Sequence, residues 1–326
     1  MRPETIWYGG HWLAYPLLPL SWVYRLVIAA RRAAYGTGLL ETRRLPVPVI
    51  VVGNLTVGGT GKTPLVLWLA RFLHRRGYRP GILSRGYGGA ARDWPRVVPP
   101  QGDPRELGDE AVLMARRRVC PVAAGPDRIA AAQLLLEQAG CDIIVSDDGL
   151  QHYRLARDIE ILVVDAARGL GNGRCLPAGP LREPGSRMRR VRLKVCNGGA
   201  CFGAQRMDLV PGGLTSLRDA TRIRSLASLR RQRVTAVAGI GNPERFFSLL
   251  RRHGLHLDER PYPDHYRYRP VDTASWPPGP VVMTEKDAVK CLPFAGPDHW
   301  YLPVDAQLGA GFERQVSQEL KGLDNG

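Results

Sequence analysis

This sequence predicts an α/β fold, a mainly parallel sheet sandwiched by helices, with a second, smaller α/β domain later in the chain. Three observations predict it. Short apolar runs such as residues 47–53, 143–146 and 159–164 lack polar alternation, as strands buried on both faces do. Helical patterns at 62–76, 110–118 and 129–138 alternate with those runs. The 326 residues, 44% hydrophobic and 23% charged, suffice for a full core and for two domains, which excludes disordered and fibrous classes.

The first element is unusual. Residues 12–30 come close to the ~20 apolar positions that span a bilayer, but Pro16, Pro19 and Arg25 interrupt them. A spanning helix is disfavoured, and no signal peptide is apparent. Leu13, Leu17, Leu20, Tyr24 and Val27 recur at steps of four and three, while Ser21, Arg25 and Arg32 fall on another face. Trp7, Trp12, Trp22, Tyr8 and Tyr15 crowd the same stretch. That make-up suits an amphipathic helix lying on an anionic membrane surface, with rings at headgroup level; it would also serve a helix packed on the protein's own core. The organisation expected is 1–36 for this helix, 37–229 for the larger domain and 230–326 for the smaller.

In the larger domain, strand 47–53 precedes helix 62–76 and strand 82–84, and the alternation continues to strand 159–164. From 169 to 233 the pattern loosens into Gly, Pro and Arg, with one strand candidate at 191–196. It resumes with strand 235–238, helix 244–253, strands 281–284 and 300–304, and helix 312–320.

Forty-six Lys and Arg against 30 Asp and Glu leave a formal charge of +16, which points to an anionic partner. The arginines are scattered, with no basic stripe interleaved with aromatics, so nucleic acid is not the expected one. The six cysteines form no CxxC pair, and neither a disulfide framework nor a structural zinc is indicated. A reducing, cytoplasmic setting fits them.

Directly after the first strand comes Thr56-Val57-Gly58-Gly59-Thr60-Gly61-Lys62-Thr63, and a helix opens at its end. Backbone N–H groups of such a loop and a helix N-terminus cradle phosphates, a lysine reaches the β/γ oxygens, and a Thr hydroxyl takes Mg²⁺. This is a P-loop in which Thr56 replaces the first glycine of the usual pattern. Lys62 is the expected phosphate clamp and Thr63 a metal ligand. The acid such a loop needs is offered by Asp147 and Asp148 at the end of 143–146, or by Asp165. Consecutive residues on a strand point to opposite faces, so Asp147 and Asp148 diverge unless the strand ends between them. Which of the two holds metal stays open.

These residues resemble the tetraacyldisaccharide 4'-kinases of lipid A biosynthesis. The likeness runs from Val52 through the P-loop to Pro64, then through Leu83-Ser84-Arg85-Gly86-Tyr87-Gly88, Gly108-Asp109-Glu110, Asp147-Asp148-Gly149-Leu150-Gln151-His152 and Gly179-Pro180-Leu181-Arg182-Glu183-Pro184. It continues in Gly239-Ile240-Gly241-Asn242-Pro243, Pro263-Asp264-His265 and Thr284-Glu285-Lys286-Asp287-Ala288, so the blocks span most of the chain in order. The resemblance implies transfer of the γ-phosphoryl group of ATP, with Mg²⁺, to the 4'-hydroxyl of an acylated glucosamine disaccharide 1-phosphate. It places the protein at the cytoplasmic face of the bacterial inner membrane, peripheral or monotopic.

Carried over onto this chain, the resemblance makes Asp109 the group that takes the hydroxyl proton and His265 its partner, paired across two domains. Glu110, Asp147 and Asp148 become the Mg²⁺ neighbourhood, with Gln151 and His152 nearby. Arg128 and Arg182 could neutralise phosphate oxygens, or equally be surface ion pairs, and Glu183 could reach the metal or fix Arg182. Residues 185–208 match no block, and protein partners are not indicated. The reading from a different class is a membrane-associated P-loop switch that recruits a protein partner. Val57 stands where such loops carry a second lysine, which counts against it. A soluble small-metabolite kinase is the third reading.

Overall fold

A computed structural model describes residues 3–201 and 203–324. The chain forms two compact units that interleave in sequence. One comprises the chain up to Leu83, Asp127–Leu209 and the segment from Ala306 onward; the other comprises Ser84–Pro126 and Val210–Asp305. This differs from the contiguous 37–229 and 230–326 division expected above. Composition along a chain reports element order and carries no sign that an excursion such as Ser84–Pro126 joins a unit that resumes only at Val210.

In the first unit six parallel strands lie in the order Gln205–Pro211, Leu193–Asn197, Ile159–Asp165, Val49–Gly53, Ile143–Asp147, Pro80–Ser84. All five residues of Val49–Gly53 are buried, as its unbroken apolar run requires. That strand is central, pairing Val52 with Asp147 on one side and Gly53 with Leu162 on the other. The chain leaves it through helix Lys62–Arg75 toward Pro80–Ser84 on one side and leaves its neighbour Ile159–Asp165 toward Leu193–Asn197 on the other, the arrangement that opens a crevice at the carboxyl ends of the strands. Helix Lys62–Arg75 covers the sheet with Leu65, Leu69 and Leu73, while Trp68 and Phe72 stack on each other.

The second unit is built on Arg233–Ala238, parallel to His256–Pro261 and to Val281–Thr284, with His299–Leu302 next and Leu214–Ser216 antiparallel beyond it. Val234, Ala236 and Ala238 face a core with Phe247, Leu250 and Trp300, while Val237 faces Tyr268, Trp276 and Met283. Strand His256–Pro261 escaped the sequence reading because, as the edge strand of its sheet among the described residues, it can carry the polar run His-Leu-Asp-Glu-Arg-Pro.

The amino-terminal segment departs from the expected single helix. It forms Pro3–Tyr8, a short turn at Trp12–Ala14 and the helix Leu18–Gly36, which begins beside Pro19. Among the described residues no helix is long and apolar enough to cross a membrane. The expected faces are also corrected. Ser21, assigned to the polar side, is the buried residue and donates to Cys175 O at 2.8 Å, and Tyr24 donates to Arg182 O at 3.1 Å. The apolar face left exposed is Trp22, Val23, Leu26 and Val27, with Leu20 beside it. A hydroxyl that finds a buried carbonyl outweighs the periodicity of the leucines.

The cysteine reading is corrected too. Cys196 and Cys201 form a disulfide, their Cα atoms 5.7 Å apart. A strand end followed by a Gly-Gly turn brings together thiols that carry no CxxC spacing.

Asp287 anchors the second unit. Fully buried, it accepts from Gly239 N at 2.8 Å and Thr284 Oγ1 at 2.6 Å and pairs with Lys290 at 2.9 Å. Asp287→Ala would leave the Lys290 ammonium buried without its nearest counter-charge, so urea unfolding should show a loss of about 3–5 kcal/mol. A loss under about 1 kcal/mol would refute the anchor.

Candidate active site

Strand Val49–Gly53 feeds a loop that ends at Gly61, and helix Lys62–Arg75 starts immediately after. Gly61 has φ +92°, and a Cβ there would overlap the Asn197 carboxamide, whose Nδ2 donates to Thr60 O at 2.8 Å. Only glycine satisfies both the left-handed backbone and that approach. A Cβ on Gly59 would meet open space, and Thr60 Oγ1 is buried with no hydrogen-bond partner among the described residues. The loop's outer face, the unsatisfied N–H groups of the first helical turn and Lys62 therefore form a donor set that fits a polyphosphate. Val57 contributes differently, its N–H donating to Pro180 O at 2.9 Å.

Behind the loop lies a charge network. Lys62 Nζ donates to Asn54 Oδ1 at 3.2 Å and lies 3.5 Å from Asp148 Oδ1. Arg182 grips Asp148 with both terminal nitrogens, at 2.9 and 2.8 Å, and also donates to Asn54 through its carbonyl and carboxamide oxygens. Burial pushes the Asp148 carboxyl up, but Lys62, Arg182 and Arg128 outweigh it and hold it far below the usual carboxylate range. The strand ends at Asp147 and Asp148 adopts φ +48°, so the pleat does not carry through to Asp148, whose carboxylate turns to Lys62 and Arg182. Asn54 was the residue that sequence reasoning missed: it sits in the matched block, but nothing in its type announces a hub for two cations.

Several expected roles change. Arg128 is 2% exposed and donates from one terminal nitrogen to Ser146 Oγ at 3.0 Å and Asp147 O at 2.9 Å, so its guanidinium holds the strand end. Glu183 is fully buried, accepts from Tyr153 Oη at 2.7 Å and faces Arg187 at 3.7 Å. Its hydrogen bond goes to Tyr153, while Asp148 and Asn54 hold Arg182 directly and the Glu183 charge adds to the field that keeps Arg182 protonated. Asp165 accepts from Ala167 N at 3.0 Å and shapes a turn. Mg²⁺ in nucleotide sites takes one or two carboxylates, with phosphate and water completing its shell. Thr63, Asp147 and Asp148, at the loop and on the adjoining strand end, are oxygen donors that fit such an ion. Among the described residues no cluster of three or more His, Cys, Asp or Glu side chains is gathered for a metal.

Asp109, Glu110 and His265 lie together in the second unit, so the pairing expected across two domains occurs within one. Gly108, at φ +89°, begins helix Asp109–Arg116, and a Cβ on it would come within 2.7 Å of Tyr87 O. Asp109 is 5% exposed, and its carboxylate oxygens lie 3.0 and 3.1 Å from His265 Nδ1. His265 has φ +59°, and its ring packs against Tyr87 with centroids 4.8 Å apart. Burial pushes the Asp109 carboxyl up, yet the His265 hydrogen bond and the charges of Lys286 and Lys290 bring it below its ordinary value. Burial lowers the His265 imidazole, and the Asp109 bond and charge more than reverse that. Glu110 accepts from Lys286 at 3.0 Å. A buried carboxylate held ionised 3.0 Å from an imidazole nitrogen can accept a proton from a hydroxyl.

Residues 13–321 match the model of the tetraacyldisaccharide-1-P 4'-kinase family. The chain belongs to that family. It is 53% identical to the tetraacyldisaccharide 4'-kinase of Nitrosococcus oceani, over 97% of this chain and 93% of that one. It is 46% identical to the corresponding kinase of Legionella pneumophila, over 98% of both chains. A crystal structure of LpxK from Aquifex aeolicus in complex with ATP superposes with a TM-score of 0.77 at 31% identity, covering 94% of this chain and 99% of that one. Kinase family membership over nearly the whole chain displaces the reading as a nucleotide switch.

In this family member His152 lies just past the Asp148 network. Burial first, then the charges of Arg128, Arg157 and Arg31, push its imidazole down to about 4. An ordinary histidine titrates near 6.5, so the unfolded chain takes up the proton first. Stability is whole above about pH 6.5 and falls as pH drops toward about 4. Urea midpoints at pH 7 and pH 5 should differ more for the wild type than for His152→Asn; equal differences would remove His152 from the acid sensitivity.

Proposed function

We propose that this chain transfers the γ-phosphoryl group of ATP to the 4'-hydroxyl of an acylated glucosamine disaccharide 1-phosphate, with Asp109 as the proton acceptor. The observation that carries the reading is the Asp109–His265 pair, already at 3.0 Å in a member of a kinase family. His265 Nδ1 orients the carboxylate, and Asp109 receives the hydroxyl proton as the oxygen attacks phosphorus. Lys62, steered by Asn54 and Asp148, places its ammonium on the phosphate oxygens, and backbone N–H groups from Gly58 to Thr63 bind the same oxygens. Arg182 keeps Asp148 in place. Mg²⁺, held by Thr63 with Asp147 and Asp148, would supply charge neutralisation on the phosphates. Glu110, bound to Lys286, shapes the surroundings of Asp109.

The acceptor is a lipid, and the exposed face of helix Leu18–Gly36 suits the surface that contains it. Trp22 is 61% and Leu26 71% exposed, and exposed Arg25 lies between them in sequence. Rings and leucines enter the acyl boundary while arginine meets anionic headgroups. The protein then works as a peripheral enzyme at the cytoplasmic face of the inner membrane.

Phosphoryl transfer from Mg-ATP to the detergent-solubilised acceptor tests the chemistry. Asp109→Ala should lower kcat by about 100- to 10,000-fold, with comparable failure of Lys62→Ala and a smaller loss for His265→Ala. ATP hydrolysis without any phosphorylated lipid would sink the proposal. For the surface, Trp22→Glu with Leu26→Glu should weaken binding to anionic vesicles by about tenfold or more. Vesicle binding equal to wild type would rule that face out.

A further inference from the structure

Lys286 lies in the first turn of helix Glu285–Cys291, and the phosphoryl-transfer reading leaves it without a task. Its ammonium donates to Glu110 Oε1 at 3.0 Å and to Asp264 Oδ1 at 3.1 Å. It also lies 3.4 Å from His265 Nε2 and 4.0 Å from Asp109 Oδ2. Burial disfavours an ammonium there, but Glu110, Asp109 and Asp264 outweigh burial and keep it charged. The turn that carries it is fixed. Arg117 clamps Glu285, with Nε to Oε1 at 2.6 Å and Nη2 to Oε2 at 2.7 Å, and Asp287 N donates to Thr284 Oγ1 at 3.1 Å.

His265 has two carboxylates near its ring. Asp109 stands 3.0 Å from Nδ1, and Asp264 stands 3.8 Å from Nε2. A neutral imidazole has one N–H to give, so it can serve only one of them. An ammonium has three donors and no lone pair. Placed beside Nε2 it can only donate to that nitrogen, which favours the form with the proton on Nδ1. By neutralising Asp264 it also weakens the competing acceptor.

We propose that Lys286 is a positioning residue for the Asp109–His265 pair: it occupies Nε2 and Asp264, so the neutral ring carries its proton on Nδ1 and presents it to Asp109. The catalytic consequence rests on the kinase reading. The tautomer is a property of the ligand-free chain and does not.

The test is a long-range ¹H–¹⁵N spectrum of the full-length, histidine-labelled protein without ligand, at alkaline pH where the ring is neutral. Wild-type His265 should be the Nδ1–H form. Lys286→Met should give the Nε2–H form a substantial share, and Lys286→Arg should restore Nδ1–H. In the phosphoryl-transfer assay Lys286→Met should lower kcat by on the order of 100-fold, with KM for ATP changed by less than about twofold, and Lys286→Arg should recover most of the loss. A wild-type ring protonated on Nε2 overturns the proposal, and that spectrum decides even if Lys286→Met does not fold. An unchanged tautomer, or an unchanged kcat, in folded Lys286→Met also overturns it. The expected spectra from a wild type that phosphorylates no lipid would support the placement of Lys286 and count against the kinase reading alone.

Discussion

The phosphate-binding half of this protein depends on one carboxylate held between two cations. Asp148 sits in the grip of Arg182 and 3.5 Å from Lys62, and Asn54 ties both cations to the strand that feeds the loop. Without that carboxylate two positive side chains would share a half-buried space, and neither would keep its direction. The left-handed backbone at Asp148 follows from the same constraint, since a strand continued through it would carry its carboxylate to the wrong face. Arg128 secures the preceding residue by its carbonyl, so the arginine expected on a phosphate builds the floor that places the acids.

The second unit solves the converse problem. Here Asp109, Glu110 and Asp264 crowd one place, and Lys286 with Lys290 balances them. Because the His265 hydrogen bond and the charges of Lys286 and Lys290 act on it directly, Asp109 stays ionised despite being almost fully buried. Gly108 makes room for the helix start, and Asp287 secures the helix that brings the lysines. Backbone geometry and charge thus converge on one carboxyl group and one imidazole.

Much of this was legible in the sequence. Unbroken apolar runs announced buried parallel strands, and Gly58 to Thr63 announced a phosphate loop, because those signals are local: they need only a few consecutive residues and the backbone they impose. The helix at Lys62–Arg75 and the strand end at Asp147 followed from the same kind of signal. The polar edge strand His256–Pro261 was not legible, since an edge strand need not be apolar. Nor was the buried face of the Leu18–Gly36 helix, which the Ser21 hydroxyl and a distant carbonyl decide.

The sequence by itself determined which residue types were available for phosphate, metal and proton, and the order in which strands and helices carry them. Only the tertiary structure decided their partners: Arg182 with Asp148, Glu183 with Tyr153, Arg128 with a strand end, and Asp109 with a histidine 156 positions away in the same unit. The reason is physical. A side chain's charge and hydrogen-bonding capacity are intrinsic to it, but which opposite group lies within about 3 Å depends on how strands far apart in the chain come to pair.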